Sequence, residues 1–183
     1  MSATETVPSL HGLQDAIGDF GKDIRINLEN VLSEEGAPGL TPAQQWGVAL
    51  TSAYALQYAL LTAAIQPEAQ RRLPAEAVEA AKSAATIMAM NNVYYRFLHL
   101  SQDKVLSAMP AKLRMMVIGK PGVPKVDFEL MSLAVSALNG CGMCIGAHIS
   151  EVRKAGITDE GIQSAVRIAS VLAAVKQAIT LRA

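Results

Sequence analysis

With 183 residues the chain has room for one domain with a sizeable core and not for two independent ones. Its 16 basic and 16 acidic side chains cancel, which removes the broad electrostatic field that draws in nucleic acid or an anionic membrane surface. Hydrophobic residues make up 51% of the chain but aromatics only 4%, with Ala, Leu, Val and Met predominant; that composition suits closely packed helices and argues against a sheet, so an all-α fold is expected.

The opening MSATETVPSL has neither the basic segment nor the apolar run of a secretory leader, and a cytoplasmic protein is expected. Apolar positions at Leu13, Ile17, Phe20, Ile24, Leu28 and Val31 or Leu32 recur close to every 3.6 residues and predict one amphipathic helix over residues 10–32. Glu35-Gly36-Ala37-Pro38-Gly39 reads as a loop. Thr41 before Pro42 is an N-cap and first-turn pair, and the helix they start is expected to reach about residue 65, short of Pro67. Pro74 opens a further helix through Met90, which residues 91–96 continue as a short or kinked piece. Met109-Pro110 and Pro121-Gly122-Val123-Pro124 mark loops around a short segment at 113–118. A helix over residues 124–138 then leads through the turn-forming pair Asn139-Gly140 into another over 141–155, stopped by Gly156. Thr158 caps a last helix to about 181, with Asp159 and Glu160 complementing its dipole; Gly161 in the third position leaves the capping box incomplete.

Two uncharged stretches, residues 46–67 and 130–147, are long enough to cross a bilayer. The first carries Thr, Ser, Gln and Tyr among its alanines and the second is broken by Asn139-Gly140, so both are read as buried core helices. Displacing the chain by 84 residues lays Ser52-Ala53 on Ser136-Ala137, Ala63 on Ala147, Ile65 on Ile149 and Glu76 on Glu160. An internal duplication of a helical hairpin unit follows, with one copy over about 42–92 and the other over about 126–176. In this register Gln57, Leu60 and Ala64 stand where the second copy has Cys141, Cys144 and His148, so only the second copy carries reactive side chains.

Those side chains, with Glu129, are the one group in the chain suited to chemistry. Cys141 and Cys144 are the only cysteines, and in a reducing compartment a lone Cys-x-x-Cys pair points to redox, nucleophilic or metal-binding use. Following Asn139-Gly140, both thiols fall at a helix start, where free backbone N–H groups and the positive end of the dipole stabilise a thiolate. His148 lies four residues beyond Cys144 and seven beyond Cys141, on the same helical face, where an imidazole can pass a proton. Glu129 is the only charge between Asp127 and Glu151, and a carboxylate in so apolar a segment needs a partner to share its proton, which suits a general base. Competing readings are a four-ligand zinc site made of the same residues, a purely structural cysteine pair, and a Glu129 that caps its helix or bridges to Arg114 or Lys125. The methionines at 88, 90, 115 and 116 read as core filler, and His11 and His99 receive no role. A Gly-rich phosphate loop, a nucleophile elbow and an H-E-x-x-H motif are absent from the sequence.

Residues 87–96 (IMAMNNVYYR), Pro121-Gly122-Val123-Pro124-Lys125, and Phe128-Glu129-Leu130 leading to Asn139-Gly140-Cys141, Cys144 and His148 resemble the alkyl hydroperoxide reductase AhpD family of the carboxymuconolactone decarboxylase-like superfamily. The likeness covers most of the chain and implies a single AhpD-like domain over residues 1–183, homotrimeric, that reduces alkyl hydroperoxides as an antioxidant. It further implies that Cys144 is the attacking thiolate and becomes a sulfenic acid, that Cys141 is the proton donor and resolving thiol, and that Glu129 with His148 forms a water-assisted proton relay. No bound cofactor is implied; dihydrolipoamide on a lipoylated acyltransferase subunit is the implied external reductant, and a peroxiredoxin is an implied onward partner. Disulfide reduction on behalf of that peroxiredoxin, or a decarboxylase-like activity using Glu129 and His148 alone, are the alternatives the likeness leaves open. Many family members carry a His between the cysteines, where this chain has Met143.

Overall fold

The computed structural model describes residues 9–182; residues 1–8, read above for targeting signals, lie outside it. The described residues form helices and no strand: α1 Leu10–Ala16, α2 Lys22–Leu32, α3 Pro42–Leu56, α4 Ala59–Gln70, α5 Ala75–Ser101, α6 Lys104–Ala108, α7 Met116–Gly119, α8 Lys125–Leu138, α9 Gly142–Lys154 and α10 Asp159–Arg182. The fold is all-α.

Several boundaries differ from the sequence expectation, each for a local reason. The stretch over 10–32 is two helices because Ile17 turns extended, its side chain buried, and Gly18 leads into a single tight turn at Asp19–Gly21. Thr41 caps α3 with more than was expected: its hydroxyl accepts from the Gln44 N–H and the Gln44 side chain accepts from the Thr41 N–H, a full capping box. That helix stops at Leu56 because Gln57 is left-handed (φ 51°), and α4 then carries Pro67 within its last turn. Asn91-Asn92 do not kink α5, which runs unbroken for 27 residues. The Asn92 amide does not compete with the helix backbone, because it donates to Ser136 Oγ and accepts from Asn139 Nδ2, both outside it. A short helix at α6 was not expected; Asp103 starts it by accepting from the Val105 and Leu106 N–H groups.

The core centres on α8, whose residues from Phe128 to Ser136 are all buried. It packs against α3, α5, α9 and α10, and Val48, Leu50, Ile168, Leu172 and Val175 reach it fully buried from α3 and α10. Small residues allow the helices to close up. A Cβ on Gly161 in the first turn of α10 would stand 2.6 Å from the Gly39 carbonyl oxygen, so bare backbone passes bare backbone there. By length and composition α10 alone among the described helices could cross a membrane, yet 50% of its most apolar window is buried against the rest of the fold. Adding 84 to the bounds of α3, α4 and α5 gives 126–140, 143–154 and 159–185, against 125–138, 142–154 and 159–182 for α8, α9 and α10.

Candidate active site

The turn between α8 and α9 sets the site. Gly140 is left-handed (φ 65°), a conformation that favours glycine, and it reverses the chain so that Cys141 becomes the N-cap of α9. Both ends of the turn are tied down: the Cys141 N–H donates to the Ser136 carbonyl, and Arg96 of α5 donates to the Asn139 carbonyl. Cys141 Sγ takes the place a serine hydroxyl often fills, accepting the Cys144 N–H at 3.3 Å. The expected position of the thiols at a helix start is therefore the observed one.

Cys141 and Cys144 are joined in a disulfide with their Cα atoms 5.3 Å apart. The two sulfurs are not equivalent. Cys141 is 0% exposed, whereas Cys144 is 7% exposed and, with His148, Met88, Asn91, Tyr95 and Met143, lines an apolar pocket of about 270 Å³ that Met115 and Ile118 close from the side of α7.

His148 stands one turn beyond Cys144 with Glu129 behind it. Its Nδ1 lies 2.6 Å from Glu129 Oε2, and both side chains are buried, so the carboxylate has the partner its apolar setting demands. Lys125 pairs with Glu151 instead, and Glu129 neither caps α8 nor bridges to a surface cation. Hydrogen bonds from Lys154 and Lys125 hold the Glu151 carboxyl below its usual range. Glu129 also borders the cleft those three side chains frame, which shares no lining residue with the pocket. His148 Nε2 points at the sulfur of Met88 on α5, 3.4 Å away. Among the described residues no group of three or more His, Cys, Asp or Glu is arranged to hold a metal ion.

All four residues singled out from the sequence thus gather where α8 meets α9. What sequence reasoning missed is the contribution of α5. Met88 contacts the histidine, the Asn91 carbonyl lies 3.9 Å from Cys144 Sγ, and the Asn91 side-chain oxygen is buried without a hydrogen-bond partner. The available signal was the pair Asn91-Asn92, two amides directly after the apolar run Ile87-Met88-Ala89-Met90. Met143, at the position noted above, lies at the pocket mouth, 42% exposed.

The sequence model of the carboxymuconolactone decarboxylase family matches residues 105–183, the part that holds all four site residues. Over nearly its whole length the chain is similar to proteins named alkyl hydroperoxide reductase AhpD. That of Brucella anthropi is 53% identical over 171 residues, 93% of this chain and 96% of the relative. The Hyphomonas neptunium protein is 50% identical over 175 residues, 96% of each chain, and the Rhodospirillum centenum protein 52% identical over 167, 91% of this chain and 88% of the relative. With half of its residues shared across that span, the chain belongs to the alkyl hydroperoxide reductase AhpD family.

Proposed function

We propose that this protein is an antioxidant oxidoreductase that reduces alkyl hydroperoxides through a Cys141/Cys144 dithiol–disulfide cycle. The observation that carries the reading is the asymmetry of the pair: Cys144 opens on an apolar pocket beside His148, and Cys141 is sealed behind it. The Cys144 thiolate attacks the terminal oxygen of the hydroperoxide, the O–O bond breaks, and the alkoxide takes up a proton to leave as an alcohol. Cys144 is left as a sulfenic acid. The Cys141 thiol then attacks that sulfur, expelling water and closing the disulfide, which protects Cys144 from further oxidation. Glu129 and His148 shuttle the protons that these steps consume and release. Dihydrolipoamide restores the dithiol by exchange and becomes lipoamide; a lipoylated acyltransferase subunit is the donor this reading favours, and a peroxiredoxin the onward acceptor where the protein acts as an adaptor.

The same reading gives a cytoplasmic homotrimer. Self-association is supported by an apolar face on the C-terminal half of α5, where Val93, Phe97 and Leu100 are all more than half exposed. It also takes α3–α5 as the inactive copy of the duplicated unit. A decarboxylase-like activity of Glu129 and His148 is the second reading, favoured by the family match to residues 105–183. Peroxide consumption driven by dihydrolipoamide separates the two: Cys144→Ser abolishes it if the thiol cycle operates, and turnover at the parent rate in that variant rules the cycle out.

A further inference from the structure

A largely buried chain of hydrogen bonds between α5, α8 and α9 runs in one direction and ends on sulfur. Asn139 Nδ2 donates to Asn92 Oδ1 at 3.0 Å, and Asn92 Nδ2 donates to Ser136 Oγ at 2.9 Å. Ser136, its oxygen engaged as acceptor, has one proton to give, and the Met88 sulfur lies 3.7 Å away. From α9, His148 Nε2 approaches the same sulfur at 3.4 Å. Met88 is 1% exposed, so solvent does not compete for that sulfur.

A thioether carries no proton and can only accept. The contact with Nε2 is therefore attractive only while Nε2 bears hydrogen; a bare Nε2 would set lone pair against lone pair. We propose that Met88 is a positioning residue of the redox site: its sulfur keeps a proton on His148 Nε2 and so confines the mobile proton of the Glu129–His148 pair to the Nδ1–Oε2 side. The pair then holds two protons at rest, one on Nε2 and one shared across the 2.6 Å contact. Written as imidazolium and carboxylate, this sets a positive ring on the wall of the pocket that Cys144 lines, which favours thiolate there. The ring is thereby a standing electrostatic partner of Cys144 rather than a base at Nε2, and the shared proton's route to water runs through Glu129, which borders the Lys125–Lys154 cleft. The titratable side chains facing the ring are Glu129 from α8 and, around the pocket, Cys144 from α9 and Tyr95 from α5; Met115 and Ile118 bring none.

The purpose assigned to Met88 rests on the reductase reading; its geometry does not. The test is the ring tautomer in the full-length, 15N-labelled disulfide form at neutral pH, read from histidine nitrogen shifts without peroxide. Nε2 of His148 should give the signal of a protonated ring nitrogen. Met88→Leu keeps the volume and removes the acceptor, so the share of rings with a bare Nε2 should rise about three- to tenfold, the factor a single weak hydrogen bond carries. Alkylation of Cys144 in the reduced variant should slow by a similar factor. A bare Nε2 in the parent overturns the inference even if the variant fails to fold, and so does an unchanged tautomer ratio in a folded Met88→Leu. Loss of the reductase reading would appear instead as absent peroxide turnover with the tautomer as described.

Discussion

Glu129→Gln changes the charge behind His148 and almost nothing else. The amide fills the same volume and still offers a hydrogen-bonding atom to Nδ1, but it cannot hold the ring as an imidazolium. A charge-assisted hydrogen bond between buried groups contributes about 1.5–3 kcal/mol net, and the 2.6 Å contact between two side chains no more than 10% exposed fits that class. At about 1.36 kcal/mol per factor of ten, its loss should slow Cys144 chemistry roughly 10- to 150-fold. Two assays read this: peroxide consumption with dihydrolipoamide in excess, and the alkylation rate of the reduced protein at neutral pH. Both rates should fall together. KM for a hydroperoxide should stay near the parent value, because Glu129 lies behind His148 and does not line the pocket. A folded Glu129→Gln protein that turns over within twofold of the parent would refute the reasoning, since the carboxylate would then be only the buried partner of a structural histidine.

Two further outcomes test the scaffold. Gly161→Ala should lower stability by about 1–3 kcal/mol in urea unfolding despite alanine's better helix propensity, because the added methyl meets the Gly39 carbonyl; a stabilised variant would mean that the crossing is looser than the backbone suggests. Glu68 is held below the usual carboxyl range chiefly by the hydrogen bond from Arg72, with burial acting the other way and Arg71 assisting. Its folded value lies below its unfolded one, so its contribution is present above the unfolded value of 4.5 and is lost as pH falls through the folded one. Glu68→Gln should therefore be less stable than the parent at pH ~7, by about 0.2–1 kcal/mol, and the gap should shrink as pH falls below the unfolded value, read from urea midpoints; a gap that does not change with pH would contradict this.

What the sequence disclosed depended on range. The Cys141, Cys144 and His148 spacing is a property of one helix, so a face could be read directly, and Glu129 stood out as a lone charge in an apolar run. Met88 lies 60 residues from His148, and nothing in an alanine-rich helix distinguishes a sulfur that accepts a histidine proton from one that fills space. The break after Leu56 was illegible for a related reason: Gln57 is left-handed without being Gly or Asn, the residues that usually announce that conformation. The 84-residue offset also has a counterpart that only the structure explains. Gln45 falls on Glu129, is equally buried, and donates to the Val31 and Ser33 carbonyls at 2.9 and 2.7 Å. The same helical position that meets a histidine in one half ties off the end of α2 in the other.

The unequal exposure of the two cysteines gives the disulfide a polarity. Under the proposed cycle an incoming dithiol would meet Cys144 first, so the mixed disulfide would form there with Cys141 as the leaving group. Its departing thiolate is already seated at the start of α9, accepting the Cys144 N–H. In that cycle the burial of Cys141 would decide which sulfur a bulky reductant can hold, and the helix it caps would stabilise the thiolate it releases.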